Sequence, residues 1–334
     1  MAKYSIILPV RNGGQYVKEC VGSILSQKFN DFNFIVLDNA STDGTLEWLQ
    51  LLNDERIKIV PSEKSLTIEE NWGRIRDVEK NEFITLIGHD DILYPDFLAV
   101  IDCLINLNPE ASLYHTHFNF IDAKSNIIRS CKPMNNDLSG YEFLKSFLTN
   151  SIDLMGTGYV MRSKDYDEIQ GIPVKYPNLL FADFELWLNL TFKSYMATAP
   201  EKCFAFRIHQ STTTTSGDLK LHSALSFFIN YLEIAMQKDE NFKSVIKKYG
   251  SQFLLRYCKG YSHRLLRSDV PNRNGVTVNS FIESTRILAV KLGIQDDYHP
   301  EKVFSVGVAK IIDSSAILRN MFRVFKKVYS KPFF

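Results

Sequence analysis

Apolar and polar positions alternate in blocks along the first ninety residues. Residues 4–9 form a nearly unbroken apolar run, the pattern of a strand covered on both faces. Val10-Arg11-Asn12-Gly13-Gly14 is a polar, glycine-rich loop. Val17, Val21, Ile24 and Leu25 then recur at helical spacing. The same order returns at once. Residues 34–37 read as a strand, 38–44 as a polar loop, and the next stretch through Leu52 as a helix. Residues 56–60 are a third short strand, 68–78 a helix, and 83–87 a fourth strand ending at Gly88-His89-Asp90-Asp91. Strand, loop and helix in repetition predict an α/β fold with a mostly parallel, Rossmann-like sheet flanked by helices. Ligands of such sheets bind beyond the carboxyl ends of the strands, where the loops after Pro9, at Asp38 and at Asp90 converge.

The middle of the chain is mixed. Residues 112–121 alternate as a strand and turn back through 127–129 as a hairpin; 140–148 read as a helix, 157–162 as a strand, 181–193 as a helix and 203–208 as a late strand. The polar run 210–217 reads as a linker or a lid. From Leu219 onward, helical periodicity dominates, over 219–237, 242–248, 252–266, 278–292 and 301–328. Two parts follow: residues 1–217 as the α/β domain and 218–334 as a helical appendage.

Bulk charge removes one class of partner. Lys and Arg number 39 against 38 Asp and Glu, a formal charge of +1, so no global field draws the chain to nucleic acid. The five cysteines are scattered, with no C-x-x-C pair, which fits a reducing compartment and no structural zinc. No apolar run approaches the ~18 residues of a membrane span, and the opening Met1-Ala2-Lys3 leads straight into a strand. A cytoplasmic protein is expected.

Asp90 and Asp91 carry the chemistry that this architecture calls for. Two adjacent carboxylates where a buried strand ends repel each other unless a cation offsets them. Mg²⁺ or Mn²⁺ shared with a diphosphate would do so, because both are hard oxygen-ligand ions. The competing reading is a helix cap.

Four segments in this order resemble family 2 of the inverting glycosyltransferases, which have the GT-A fold. They are residues 5–12 with 23–27, residues 36–44, Asn71 with 83–91, and residues 182–187. The resemblance covers residues 3 to 216. It implies a nucleoside diphosphate sugar donor, a UDP-sugar favoured, and a hydroxyl acceptor on a surface glycan or lipid-linked oligosaccharide. Pro9 and Arg11 would flank the base and ribose, Asp38 or Asn39 would accept the uracil N3–H, and Asn71 lies near the donor pocket or on a helix surface. Asp90 aligns with the direct ligand of Mn²⁺ or Mg²⁺; Asp91 supports it, and His89 contacts the ribose or nearby backbone. Gly88 stands where the family often has its first Asp. Asp183, preceded by Ala182 rather than the usual Glu, is the implied general base. Arg207 would reach the diphosphate and His209 would serve as a further metal ligand or as a hydrogen-bond donor to phosphate, with 212–215 closing over the donor. Glu185 carries no catalytic role, and Trp187 reads as core before sugar platform. The degraded metal motif leaves open a catalytically silent sugar-nucleotide-binding subunit of a glycan assembly complex.

The basic, amphipathic end of the chain, residues 311–334, fits a membrane surface, a second subunit in a homodimer, or the chain's own domain.

Overall fold

The computed structural model of the chain describes residues 2–208, 218–268, 270–273 and 275–329. It divides into two compact units. One comprises Met1–Phe143 with Ile152–His209, the other Leu144–Ser151 with Gln210–Phe334.

In the first unit, β1 (Tyr4–Val10) is buried at all seven positions, as its apolar run predicts. After α1 (Tyr16–Leu25), β2 (Phe32–Asp38) pairs with it in parallel, placing Val10 opposite Asp38. Following α2 (Thr45–Gln50), β3 (Ile57–Ile59) adds the parallel edge beyond β2. Beyond α3 (Ile68–Gly73), β4 (Phe83–Leu86) flanks β1 on its other side, with Ile7 opposite Leu86. In these registers β1 and β2 end level at Val10 and Asp38, and β4 stops three residues short, opposite Ile7, at the same end of the sheet. Loops 11–14, 39–44 and 88–91 therefore emerge along one edge.

The remaining strands extend the sheet. They are β5 (Ile92–Leu93), then, after α4 (Phe97–Leu107), β6 (Leu113–Ile121), β7 (Ile127–Ser130) and β8 (Asp137–Ser139). After α5 (Gly140–Thr149) come β9 (Tyr159–Arg162), α6 (Ser163–Glu168), α7 (Ala182–Lys193) and β10 (Tyr195–Arg207). The order is β3-β2-β1-β4-β9-β6-β10-β5, with β7 on β6 and β8 on β10. β9 runs antiparallel between β4 and β6, while β10 runs parallel to β6. The α/β expectation with a mostly parallel core is met.

β10 begins eight residues before the expected late strand. The sheet absorbs Pro200-Glu201-Lys202 as an irregularity, with register shifts on either side of Lys202. The two-residue β5 and three-residue β8 are too short to show a period in sequence.

The second unit is helical: α8 (Asp218–Lys238), α9 (Glu240–Arg267), α10 (Val278–Lys291), α11 (Phe304–Ser314) and α12 (Ala316–Tyr329). Two helices expected at 242–248 and 252–266 are one. Gly250 does not break α9; it lies inside the helix beside Ile294, where a Cβ would make ordinary contact at 3.4 Å. The expected boundary near residue 217 placed all of α5 in the first part, but residues 144–151 join the helical unit. Phe147 packs on Phe228 and Phe253 at 5.5 and 5.2 Å, and Arg256 donates to the carbonyls of Leu148 and Phe147. No helix among the described residues is long and apolar enough to cross a membrane.

Gly158 opens β9 at φ +85°, and a Cβ there would lie 2.3 Å from the Phe204 ring. Gly158→Ala should therefore lose about 2–3 kcal/mol through backbone strain and overpacking. Urea denaturation checks this; an unchanged midpoint would refute the packing described.

Candidate active site at the strand ends

The first two loops are laced to each other. The backbone N–H groups of Asn12, Gly13 and Gly14 donate to Ser41 Oγ, Thr45 Oγ1 and Asp43 Oδ2 at 3.0, 3.1 and 3.0 Å, and Thr42 N–H donates to Asn12 Oδ1 at 2.8 Å. Burial raises the Asp43 pKa, but hydrogen bonds from Thr45 and Gly14 outweigh it and hold the carboxyl below its usual range. Gly13 is required, since a Cβ would meet the Val17 Cβ at 2.6 Å. Pro9 is buried inside β1 opposite Leu37, and Arg11 is exposed at the loop mouth.

Asp38, the last residue of β2, is fully buried. Its Oδ2 accepts from Ser41 N–H at 3.1 Å, while its Oδ1 is buried with no hydrogen-bond partner. Asn39 differs. Its amide is consumed by a reciprocal pair with the Leu66 backbone, at 3.0 and 2.7 Å. Of the two expected acceptors, only Asp38 keeps an uncommitted oxygen. Asn71 is buried rather than on a helix surface. It donates to the Leu37 carbonyl at 3.3 Å and accepts from Arg74, whose guanidinium also donates to the Asp38 and Val60 carbonyls. Arg74 had no motif to announce it.

The third loop is a tight turn, closed by Asp91 N–H donating to the Gly88 carbonyl at 3.2 Å. His89 and Asp90 are half-buried, and Asp91 is buried. The two carboxylates fold back over Gly88. A Cβ at that position would lie 2.9 Å from Asp90 Oδ1 and 3.2 Å from Asp91 Oδ2. Burial, and then the neighbouring Asp90 charge, push the Asp91 pKa well up. Arg207 N–H donates to Asp91 Oδ1 at 2.9 Å.

The expected diphosphate contact of Arg207 is replaced by a structural one. Its side chain is 0% exposed. Nε donates to the Asp90 carbonyl at 2.7 Å, Nη1 to the Asp122 carbonyl and Ser125 Oγ, and Nη2 to Glu19 at 2.7 Å. All three guanidinium nitrogens are committed to the protein. His209 and the segment 212–215 lie outside the described residues.

Asp183 sits in the first turn of α7, half-buried. Burial pushes its pKa up to about 6, against the Phe184 N–H, which donates to Oδ1 at 2.9 Å. Glu185 is engaged elsewhere, accepting from Lys175 at 2.8 Å and from the Tyr176 hydroxyl. Trp187 is core: 1% exposed, stacked on Tyr159 at 4.2 Å and donating to the Met155 carbonyl at 3.3 Å.

One strap links the two carboxylate sites. Thr157 Oγ1 accepts from Gly88 N–H at 3.1 Å, and its hydroxyl is hydrogen-bonded to Asp91. Next to it, a Cβ on Gly156 would lie 3.7 Å from Asp183 Oδ2. Asp91 and Asp183 thus meet neighbouring residues of one strap, with Asp90 beside Asp91 over Gly88. Sequence reasoning missed Thr157; the only signal was a Thr between two glycines before an apolar strand. A cleft of about 710 Å³ lined by Met134, Asn136, Asp137 and Tyr195 lies by the start of β10, at the strand end opposite Arg207, and is not this site.

The α/β fold is GT-A-like, with Asp38 ending β2 and Asp90 and Asp91 following β4. Residues 5–169 match the model of glycosyl transferase family 2, and the chain belongs to that family. An uncharacterized glycosyltransferase of Rickettsia typhi is 26% identical over 274 residues, 80% of this chain and 78% of that protein. One from Rickettsia conorii is 32% identical over 132 residues, but the match spans 39% of this chain and only 22% of its length. Among solved structures, S. aureus TarS 1–349 in complex with UDP-GlcNAc shares the fold at a TM-score of 0.66 and 13% identity, over 99% of this chain and 93% of that one. The mannosyltransferase PcManGT from Pyrobaculum calidifontis, in complex with GDP-Man and Mn²⁺, gives a TM-score of 0.51 at 11% identity, over 98% and 88%.

Removing the Thr157 hydroxyl strands the Gly88 N–H and the buried Asp91 carboxyl. Thr157→Val should cost about 1–3 kcal/mol of stability, and Thr157→Ser should restore most of it. Chemical denaturation of the pair checks this; a Val variant as stable as the Ser variant and the wild type would show that the hydroxyl contributes nothing.

Proposed function

We propose that this family 2 glycosyltransferase is inverting and metal-dependent, and that it moves a sugar from a UDP-sugar to a hydroxyl of a surface glycan or lipid-linked oligosaccharide. The observation that carries the reading is that Asp91 and Asp183 meet one strap, with Asp90 beside Asp91. The unpartnered, buried Asp38 Oδ1 supports a nucleotide at the first two loops, because a base N–H would satisfy it.

The residues present suit a divalent cation. Two carboxylates converge over Gly88, and their mutual repulsion is relieved by a positive charge. No group of three or more His, Cys, Asp or Glu side chains poised for a metal occurs among the described residues. That fits an ion that takes one or two protein carboxylates and completes its shell from phosphate and water. When bound, Mn²⁺ or Mg²⁺ at Asp90 would neutralise charge on the diphosphate.

Asp183 acts as the general base. Its carboxylate takes the proton from the acceptor hydroxyl as that oxygen attacks the anomeric carbon, opposite the departing diphosphate. A pKa near 6 suits this proton transfer, because the group is ionised at neutral pH yet is a stronger base than an ordinary aspartate.

Gly88 in place of a first acidic residue, and Ala182 before the base, favour a second reading, the catalytically silent donor-binding subunit. Release of nucleoside diphosphate from a UDP-sugar with Mn²⁺, abolished by Asp90→Ala or a chelator, is the expected result. Donor binding without release would establish the silent subunit.

Asp183→Asn should abolish transfer and spare donor binding. The wild-type rate should rise about tenfold per pH unit below pH 6 and level off above it. Stability should move in the opposite sense. The folded pKa is raised, so ionisation opposes folding: the penalty is absent below the unfolded value near 4 and complete above about 6. At pH 7 the inactive Asn variant should then be more stable by up to about 2–3 kcal/mol, an advantage lost near pH 4. Wild-type rates in the variant, or equal denaturation midpoints at both pH values, would remove Asp183 from the role.

A further inference from the structure

The end of the helical unit exposes an apolar stripe. On α12, Ile317, Met321, Val324 and Phe325 are 73%, 62%, 62% and 54% exposed, and their spacing puts them on one face. On α11, which packs against α12, Phe304 and Ile311 are 84% and 63% exposed. Large apolar side chains gathered at this density mark an interaction surface rather than the scattered exposure normal for a protein.

Charge identifies what covers it. The sequence contains no Asp or Glu after Asp313, and that stretch carries Arg319, Arg323, Lys326, Lys327 and Lys331. α12 packs on α9, whose last seventeen residues, 251–267, also lack any carboxylate and carry Arg256, Lys259, Arg264 and Arg267. Two acid-free basic segments are thereby set side by side. Burial and the cations Lys259, Arg267 and Lys326 hold the His263 imidazole below its usual range, against a hydrogen bond with the Ser305 backbone. Arg256 is spent on the α5 carbonyls, and Arg319 donates to the Asp313 carbonyl.

We propose that α11 and α12 lie on an anionic phospholipid surface, with the apolar stripe at the acyl boundary and the α9 and α12 cations on headgroup phosphates. Long Lys and Arg stems can run alongside inserted apolar groups while their charges reach the headgroup layer. A second copy of the chain is the poorer occupant, because a two-fold interface at this patch would bring its cations close to the same cations of the partner. A nucleic acid would match the charge and leave the stripe exposed.

Co-sedimentation of the full chain with extruded vesicles tests this. Binding is expected with phosphatidylcholine containing phosphatidylglycerol and not with phosphatidylcholine alone, and it should weaken with added salt. Met321→Glu with Phe325→Glu should reduce it about tenfold or more, as should Arg323→Glu with Lys326→Glu. Circular dichroism should show unchanged helix content, and hydrolysis of a soluble donor should be unaffected. Light scattering should give the same oligomeric state for wild type and variants. The proposal is overturned if the wild type ignores anionic vesicles, if it binds neutral ones equally, or if the variants bind as the wild type does. It is also overturned if the substitutions split a dimer, which would give the stripe to a second copy.

Discussion

The candidate site depends on a buried cation. Arg207 ends β10 with a side chain that solvent does not reach, and a charge so placed is costly unless its donors are met. Here Glu19 supplies the opposite charge from α1, and the Asp122 carbonyl and Ser125 hydroxyl come from the β6–β7 turn. The Asp90 carbonyl comes from the turn after β4, and the guanidinium lies over the Tyr16 ring at 4.6 Å. The planar fork is what allows one side chain to bind three separate segments; a lysine carries the charge without that geometry. The positions of the 88–91 turn, the start of α1 and the end of β10 are thus a single problem with one solution.

That constraint sets the character of the acidic residues. Asp91 is drawn inward by the Arg207 N–H and the Thr157 hydroxyl, and its pKa rises because burial and the Asp90 charge outweigh both. Asp183, beyond the same strap, is also raised, but by burial alone. The first is held by protein on several sides, which suits a supporting group. Among the described residues the second is held only by backbone N–H groups of its own helix turn, and its Oδ2 lies near the small Gly156. Burial leads both shifts; only the first adds a neighbouring carboxylate.

Much of this was legible in sequence, and what was not has physical reasons. The continuous apolar runs of β1, β2 and β4 and the polar loops after them located the strand-end edge, because burial on both faces leaves a strong pattern. Asp90 and Asp91 stood out as carboxylates where a buried strand ends, whereas Asp38 and Asp183 were singled out by the family resemblance. Arg207 was visible as a residue, but nothing in its neighbours tells that Glu19 and Asp122, more than eighty residues away, would claim its donors. Asn39 was likewise read as an acceptor because its pairing with Leu66 depends on a loop conformation. Thr157 belongs to no motif, and its partners lie 66 to 69 positions upstream. Residue type announces chemistry; whether the chemistry is free for a ligand is decided by long-range contacts.

Gly88 shows how the departure from the family pattern is built. In this turn a Cβ at 88 would crowd the carboxylates of Asp90 and Asp91, so a first acidic residue would require them to shift from this tucked arrangement. The turn brings two carboxylate oxygens close together over a glycine. A hard cation held by so few protein oxygens binds weakly alone, since Mg²⁺-like ions surrender water reluctantly and need phosphate oxygens to complete the shell. On the metal-dependent reading proposed above, cation and diphosphate would be bound as a pair, and linkage would make the effect of one on the affinity of the other equal in both directions.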